Sequence, residues 1–455
     1  MGSSYQAAVA RMYALGHELA YPPSHKFDLA HMRVLLAALD HPEHRFPSVL
    51  IAGTNGKGSV AATLASILQA SGLRTGLYTS PHLVRINERI RINGNPILDG
   101  DFARRHDRVD HTAARLVADA ELPWHPSFFE MVTAMAFEHF AGEKVDLAVL
   151  EVGMGGRLDA TNVVEPRVSI LTDISLDHQK FLGDTVAEIA SEKIGILRRQ
   201  GVVVTLPQQP QANDVIGKAI LDLDAYAADA VRYVPPISPA SRRWLAPSDH
   251  RESVRGPLSR YPLEVMGKQI LVESPLVGRH QLRNIALAIA AAEVLAKQGF
   301  RVTSEAMEQG IRQTDWPGRF QVVPSRPNAP EYVLDVAHNP AGAWALRSTL
   351  SEYYGDRPLT FIFGAMRDKA IAEMAEILFP LAGRVIATQA DNPRSATVEE
   401  IRQAAARTAT DIEAAEEVGA ALDRATRSVS PFGVVVVTGS IYVVGEAISR
   451  LGGKA

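Results

Sequence analysis

Val49-Leu50-Ile51-Ala52 runs directly into Gly53-Thr54-Asn55-Gly56-Lys57-Gly58-Ser59, and a helix-like stretch begins at Val60. A strand, a glycine-rich turn and a helix start in that order leave the chain little freedom. The strand has to enter a sheet, and the helix has to pack back on it. The turn between them then forms a cradle for phosphate. Glycines let the backbone approach the anion, the helix start presents free N–H groups, and the lysine adds a point charge. The standard loop of this kind has a first glycine where this chain has Ile51, and a hydroxyl directly after the lysine, where it has Gly58. The hydroxyl arrives one residue late, at Ser59. A Mg²⁺ ion on a nucleotide needs oxygen ligands, so other segments are expected to supply them.

Short apolar runs at Ser48–Gly53, Thr75–Ser80, Val145–Val152, Val168–Ile174 and Gly201–Leu206 alternate with amphipathic helical stretches. That alternation predicts βαβ units around a mostly parallel sheet. From Pro207 to about Pro275 the sequence turns rich in proline, serine and arginine, with a small hairpin predicted from Leu263–Val265 and Gln269–Val272 around Gly267-Lys268. A long helix is expected from His280 to about Lys297. A second series follows Gly299, with strands predicted at Tyr332–Val336, Leu359–Phe363, Arg384–Thr388 and Val434–Thr438. The fold class is therefore α/β in two domains: an N-terminal phosphate-loop ATPase domain over residues 1–298 and a C-terminal Rossmann-like α/β domain over 299–455. A chain of 455 residues is too long for one typical core.

A net charge near −4 gives no support for a nucleic-acid surface. The absence of cysteine excludes disulfides, thiolate nucleophiles and cysteine metal sites. No apolar run reaches membrane-spanning length, and the N-terminus lacks a basic-then-apolar signal pattern. These features lead us to expect a soluble cytoplasmic protein acting on small molecules.

Ligands of an open parallel sheet gather at the carboxyl ends of its strands. Three polar groups fall at such ends here. Thr79-Ser80-Pro81-His82 closes the second strand, Glu151 ends Val145–Val152 just before Gly153-Met154-Gly155-Gly156-Arg157, and Asp177-His178 follows Val168–Ile174. Each alone reads equally well as a capping or structural group; together on the edge of the phosphate loop they point to a metal–phosphate site. Lys193, in the helix-like run Ala187–Leu197, reads first as a surface lysine paired with Glu188 or Glu192. A lysine facing the metal edge has a second option: its neutral amine can take up CO₂ as a carbamate, a two-oxygen anion suited to Mg²⁺.

The ordered motifs resemble the folate branch of the Mur ligase family along nearly the whole chain. They comprise Gly53–Ser59, Ser80-Pro81-His82-Leu83, Phe128-Phe129-Glu130, Glu151–Asn162, Leu176-Asp177-His178 and Glu192–Ile196. Gly278-Arg279-His280-Gln281 with Asn284, Pro317-Gly318-Arg319, Asp335–Pro340 and Thr438-Gly439-Ser440 complete the set. Gly58 also resembles that branch, because wall-building members place Thr or Ser there. The resemblance implies ATP-driven amide formation through an acyl phosphate. It implies that Thr54, Asn55, Gly56, Lys57, Gly58 and Ser59 cradle the nucleotide, with Lys57 on the β- and γ-phosphates. It further implies that Ser80 and Glu151 bind one Mg²⁺, and that His178 and carbamylated Lys193 bind a second with Glu151 shared. Lys57, His178 and Lys193 thereby carry the chemistry.

By the same resemblance Asn284 contacts adenine, and Arg319 and Asp335, with His338 nearby, reach the nucleotide from the second domain. Phe27-Asp28-Leu29, Phe128-Phe129 and Leu158-Asp159-Ala160 fall where bifunctional members hold the pterin. An aromatic in a loop suits stacking on a flat pterin; one of Phe128 and Phe129 is equally suited to the core. The implied substrates are L-glutamate, ATP and either dihydropteroate or reduced folates, and the implied state is a monomer. Folylpolyglutamate synthesis alone, a Mur-type ligase with a non-folate acceptor, and a nucleotide-binding regulator without ligase chemistry remain as alternatives.

Overall fold

The computed structural model describes residues 4–16, 29–236, 257–325, 329–408 and 410–452. The first sheet is built from β1 (Ser48–Ala52), β2 (Thr75–Tyr78), β3 (Ile90–Ile92), β4 (Asn95–Pro96), β5 (Leu147–Glu151), β6 (Val168–Leu171), β7 (Val202–Thr205) and β8 (Tyr226–Asp229). Its order is β4-β3-β2-β5-β1-β6-β7-β8, with β3 antiparallel to both its neighbours β2 and β4 and all other pairs parallel. Every residue of β1 is buried, because helices cover both faces. Leu50 and Ala52 face the helices Leu29–Ala38 and Phe128–Gly142, while Val49 and Ile51 face the helices Lys57–Ala70 and Arg279–Lys297. This is why the strand reads as a continuous apolar run rather than an alternating one.

The hairpin expected around Gly267-Lys268 is present as β9 (Ser259–Val265) and β10 (Lys268–Ser274). The helix Ser304–Arg312, on the far side of the expected boundary at residue 298, packs on the helix Lys57–Ala70 and on β10. The second sheet contains β11 (Gln321–Val323), β12 (Glu331–Leu334), β13 (Leu359–Phe363), β14 (Ala382–Ala387), β15 (Ile412–Ala414) and β16 (Val434–Thr438). Its order is β11-β12-β16-β13-β14-β15, with only β11 antiparallel. Central β16 is again buried throughout, with Val434 and Val436 in one core and Val435 and Val437 in the other. The carboxyl ends of both sheets open on one shared cleft. Among the described residues no helix is long and apolar enough to cross a membrane.

Candidate active site

The phosphate loop is held from two directions. Gly56 precedes the helix Lys57–Ala70 at φ +90°, a left-handed conformation that glycine adopts without a Cβ penalty. Asn284 presses on the same glycine, so a Cβ there would lie 2.3 Å from Asn284 Oδ1. Thr54 N and Asn55 N donate to Asp173 O at 2.9 and 3.2 Å, in the turn after β6. The Asp173 carboxylate accepts from Arg283 Nη2 at 2.6 Å, which ties this turn to the helix that carries Asn284. Lys57 Nζ lies over the loop, donating to Gly53 O and Thr54 O at 3.2 and 3.3 Å.

Glu151 closes β5 with 4% exposure, and its Oε2 accepts Ser80 N at 3.1 Å. Burial pushes this carboxyl up, against the pull of Lys57 and the Ser80 N–H. Thr79 is buried and does not line the cleft; Ser80 does. Lys193 ends the helix Val186–Lys193, whose start is capped reciprocally by Thr185 and Glu188.

The surface reading of Lys193 is corrected here. The residue is 4% exposed, and its Nζ donates to Gly53 O at 2.8 Å. Glu188 instead serves Asp184 and Thr185, and Glu192 holds Arg157 at 2.8 Å. Burial, and after it the charge of Lys57, lowers the Lys193 amine to about 7. A neutral amine is thus populated at neutral pH. His178, at φ +52°, is lowered to about 4 by its burial, which keeps the imidazole neutral with a lone pair to offer.

The second domain reaches this edge through Asp177. Its carboxylate binds Lys369 Nζ at 2.7 Å and accepts from Asn339 Nδ2 at 3.2 Å, with His338 Nε2 at 3.7 Å. Burial would raise this carboxyl, but His338, His178 and Lys369 together hold it well below the usual carboxylate range. Asn339 Nδ2 also donates to Asn55 Oδ1 at 3.0 Å, so one side chain joins the second domain to the phosphate loop. Asp335 accepts Phe320 N and Ala337 N, both at 2.9 Å, and faces Arg319, whose pKa burial lowers. Lys369 and Asn339 were not among the expected site residues. Asn339 lies in the Asp335–Pro340 motif without a role assigned to it, and the only sequence signal of Lys369 is a position just past β13.

The cleft encloses about 1000 Å³ and brings together Gly53–Ser59, Ser80, Glu151, His178, Lys193, Asn284, Arg319, Asp335 and His338. Leu29, Phe128, Phe129, Leu158, Asp159 and Ala160 line it as well. Phe27 and Asp28 lie outside the described residues. Phe128 is 4% exposed and stacks on Tyr13 at 5.9 Å, a core position; Phe129 is only partly buried. Asp159 gives both oxygens to its own turn: Oδ2 accepts Gly153 N and Met154 N at 3.0 Å, and Oδ1 accepts Thr161 N at 3.0 Å. Its carboxylate therefore shapes the wall of the cleft. His31 and Trp124, also in the lining, stack at 5.7 Å.

Residues 127–292 match the Mur ligase middle domain, and residues 318–441 match the Mur ligase glutamate ligase domain. The chain is 32% identical over 425 residues to the dihydrofolate synthase/folylpolyglutamate synthase of Bacillus subtilis (strain 168), covering 93% of this chain and 94% of that one. The protein belongs to the Mur ligase family, in its folate branch. The Mycobacterium tuberculosis folylpolyglutamate synthase structure complexed with ADP and AMPPCP superposes with a TM-score of 0.84 at 31% identity, covering 99% of each chain. Escherichia coli FolC in complex with DHPP and ADP gives 0.79 at 26% identity, over 99% and 98%.

In this Mur ligase, Gly58 has a reason of its own. A Cβ there would come within 2.7 Å of Trp316 Cζ2, on the segment that leads into the second domain. The hydroxylated residue of a standard phosphate loop does not fit beneath that indole. Gly58→Ser is expected to cost about 1–3 kcal/mol by overpacking, read as weaker nucleotide binding in calorimetry. Unchanged affinity would mean that Trp316 swings aside freely.

Proposed function

We propose that this ligase adds L-glutamate both to 7,8-dihydropteroate and to reduced folates, consuming one ATP per amide bond. The observation that carries the reading is the meeting, in one interdomain cleft, of a phosphate loop, buried Glu151 and Lys193, and Arg319 from the opposite sheet. An acceptor carboxylate oxygen attacks the γ-phosphorus, the bond to the β-phosphate oxygen breaks, and ADP leaves. The glutamate amine then attacks the acyl carbon, phosphate departs, and the nitrogen loses its proton. Phosphoryl transfer of this kind depends mainly on positioning and charge neutralisation. Lys57 holds the β- and γ-phosphates, Asn284 the adenine, and Arg319 the transferring group. Asp335 orients Arg319, and His338 lies beside Asp177 at the closing edge.

The donors at the loop edge fit Mg²⁺. Glu151 is a buried carboxylate that accepts the Ser80 backbone N–H, and His178 is a neutral imidazole lining the same cleft. Ser80 with Glu151 would hold one ion, and His178 with carbamylated Lys193 a second, with Glu151 shared. Bound there, Mg²⁺ supplies charge neutralisation for the phosphates. Lys193 is suited to the carbamate because its amine is lowered to about 7 and is shielded from bulk water. Leu29, Phe129, Leu158 and Ala160 give the acceptor an apolar wall. Phe128 backs that wall and Asp159 sets its shape. One chain supplies both halves of the cleft, so the reading is of a monomer acting in the cytoplasm.

The decisive experiment is glutamate-dependent ADP release with dihydropteroate and tetrahydrofolate run side by side. Turnover with both is expected. Turnover with tetrahydrofolate alone would mean a folylpolyglutamate synthase only. Silence with both, in protein that binds ATP, would place the acceptor outside the folates.

A further inference from the structure

At the opposite end of β1 from the phosphate loop lies a cluster that the reaction does not use. His41-Pro42-Glu43-His44 forms the turn between the helix Leu29–Ala38 and β1. Glu43 is 7% exposed, yet its Oε2 is buried with no hydrogen-bond partner among the described residues. Its Oε1 lies 3.0 Å from His41 Nδ1 and 3.6 Å from His44 Nε2. The two imidazoles are 5.0 Å apart between centroids. Asp40 and His41 are consecutive non-glycine residues in left-handed backbone, at φ +62° and +50°. Strain of this sort persists where a side chain must be aimed.

We propose that His41, Glu43 and His44 form a binding site for a divalent transition ion of the Zn²⁺ class. Tetrahedral bonds of about 2.0–2.1 Å separate ligand atoms by about 3.3 Å, and they place two imidazole centroids on one ion about 5 Å apart. The observed distances of 3.0, 3.6 and 5.0 Å bracket those values. Two imidazoles select Zn²⁺, Ni²⁺ or Cu²⁺ over Mg²⁺ and Ca²⁺, which take oxygen ligands. A buried carboxylate with an unpartnered oxygen is costly unless a charge compensates it, and the ion supplies that charge. The histidine side chains are 52% and 62% exposed, which leaves a path from solvent and room for a water as fourth ligand.

The five residues of β1 separate this site from the phosphate loop by about 16 Å. The ion is therefore a structural clamp rather than a reactant. It fixes the end of the helix whose other end, at Leu29 and His31, lines the acceptor cleft.

The test begins with metal-stripped protein saturated with Mg²⁺ and a non-hydrolysable ATP analogue, so that the catalytic cleft is filled. Zn²⁺ is titrated into wild type, His41→Ala and His44→Ala, and the bound metal is counted. Wild type is expected to hold one Zn²⁺ per chain, with affinity at least about tenfold weaker in each variant and two imidazoles visible by X-ray absorption. Turnover with Mg²⁺ should be unchanged in both variants. Because both histidines are exposed, the variants should fold, and thermal melting in Mg²⁺ checks that. Glu43→Gln, which removes the anion and keeps the shape, should also lose the ion. No bound Zn²⁺, equal binding in wild type and both histidine variants, or an absorption spectrum without imidazole overturns the proposal.

Discussion

Lys193→Ala is expected to lower kcat by about 10²–10³-fold, the usual effect of deleting one preorganised electrostatic group, with a smaller change in the KM for ATP. In forming the carbamate, the neutral Nζ attacks CO₂, an N–C bond forms, and one proton leaves to solvent. The anion so made faces Lys57, the same charge that helps depress the amine in its absence. A small carboxylate such as acetate should partly restore turnover in Lys193→Ala, because it returns two oxygens to the gap. Carbamate loading, followed with ¹³C-labelled bicarbonate by NMR, should rise with pH. With the amine near 7, about a tenth is neutral at pH 6 and about nine tenths at pH 8. An unmodified Lys193 in active, bicarbonate-supplied protein, together with no rescue, would reduce this residue to a donor for Gly53 O.

The same burial has a consequence for stability, and its sign is fixed. The folded amine titrates near 7, against about 10.4 in an unfolded chain. Between those values the unfolded state binds the extra proton, so in bicarbonate-free buffer this group makes stability rise with pH across that window. Lys193→Met should flatten the rise between pH 7 and 9 in urea unfolding. A slope equal to wild type would mean that the amine keeps its ordinary value.

What the sequence revealed followed from burial on two faces. Val49–Ala52 and Val434–Val437 are continuous apolar runs because helices cover both sides of β1 and β16. The edge strands gave no such signal: β4 is two exposed residues, β8 is mostly exposed, and β15 has only Ile412 buried. Site residues at strand ends were legible because a parallel sheet gathers its polar groups there. Lys193 was legible only through the family resemblance, since a helix containing Glu188 and Glu192 reads as solvated. Glu188 is engaged locally, in the cap with Thr185, and tertiary packing engages Glu192 with Arg157. Trp316 over Gly58, and Lys369 on Asp177, escaped for a related reason: each acts across the domain interface, and no local pattern encodes a partner more than 190 residues away.

Arg319→Ala carries the second large effect, and it separates a ligase from a nucleotide-binding regulator. Arg319 follows Pro317-Gly318, and its guanidinium lies 6.0 Å from the Trp316 ring, between Asp335 of its own domain and Glu151 of the other. Burial lowers its pKa, yet the two carboxylates favour its charged form. A cation held there compensates charge as the γ-phosphoryl moves, the step at which supplied arginines are worth about 10³–10⁵ in rate. The variant should therefore lose about 10³-fold or more in kcat while nucleotide affinity changes only severalfold. Asp335 keeps its backbone donors Phe320 N and Ala337 N, so the fold should survive. Arg319→Lys should recover a minor part, because a point charge cannot reproduce the planar fork. Single-turnover assays would place the loss at acyl-phosphate formation. Turnover within about threefold of wild type would remove Arg319 from the chemistry and leave the second domain closing on the nucleotide through Asp177, Asn339 and Lys369 alone.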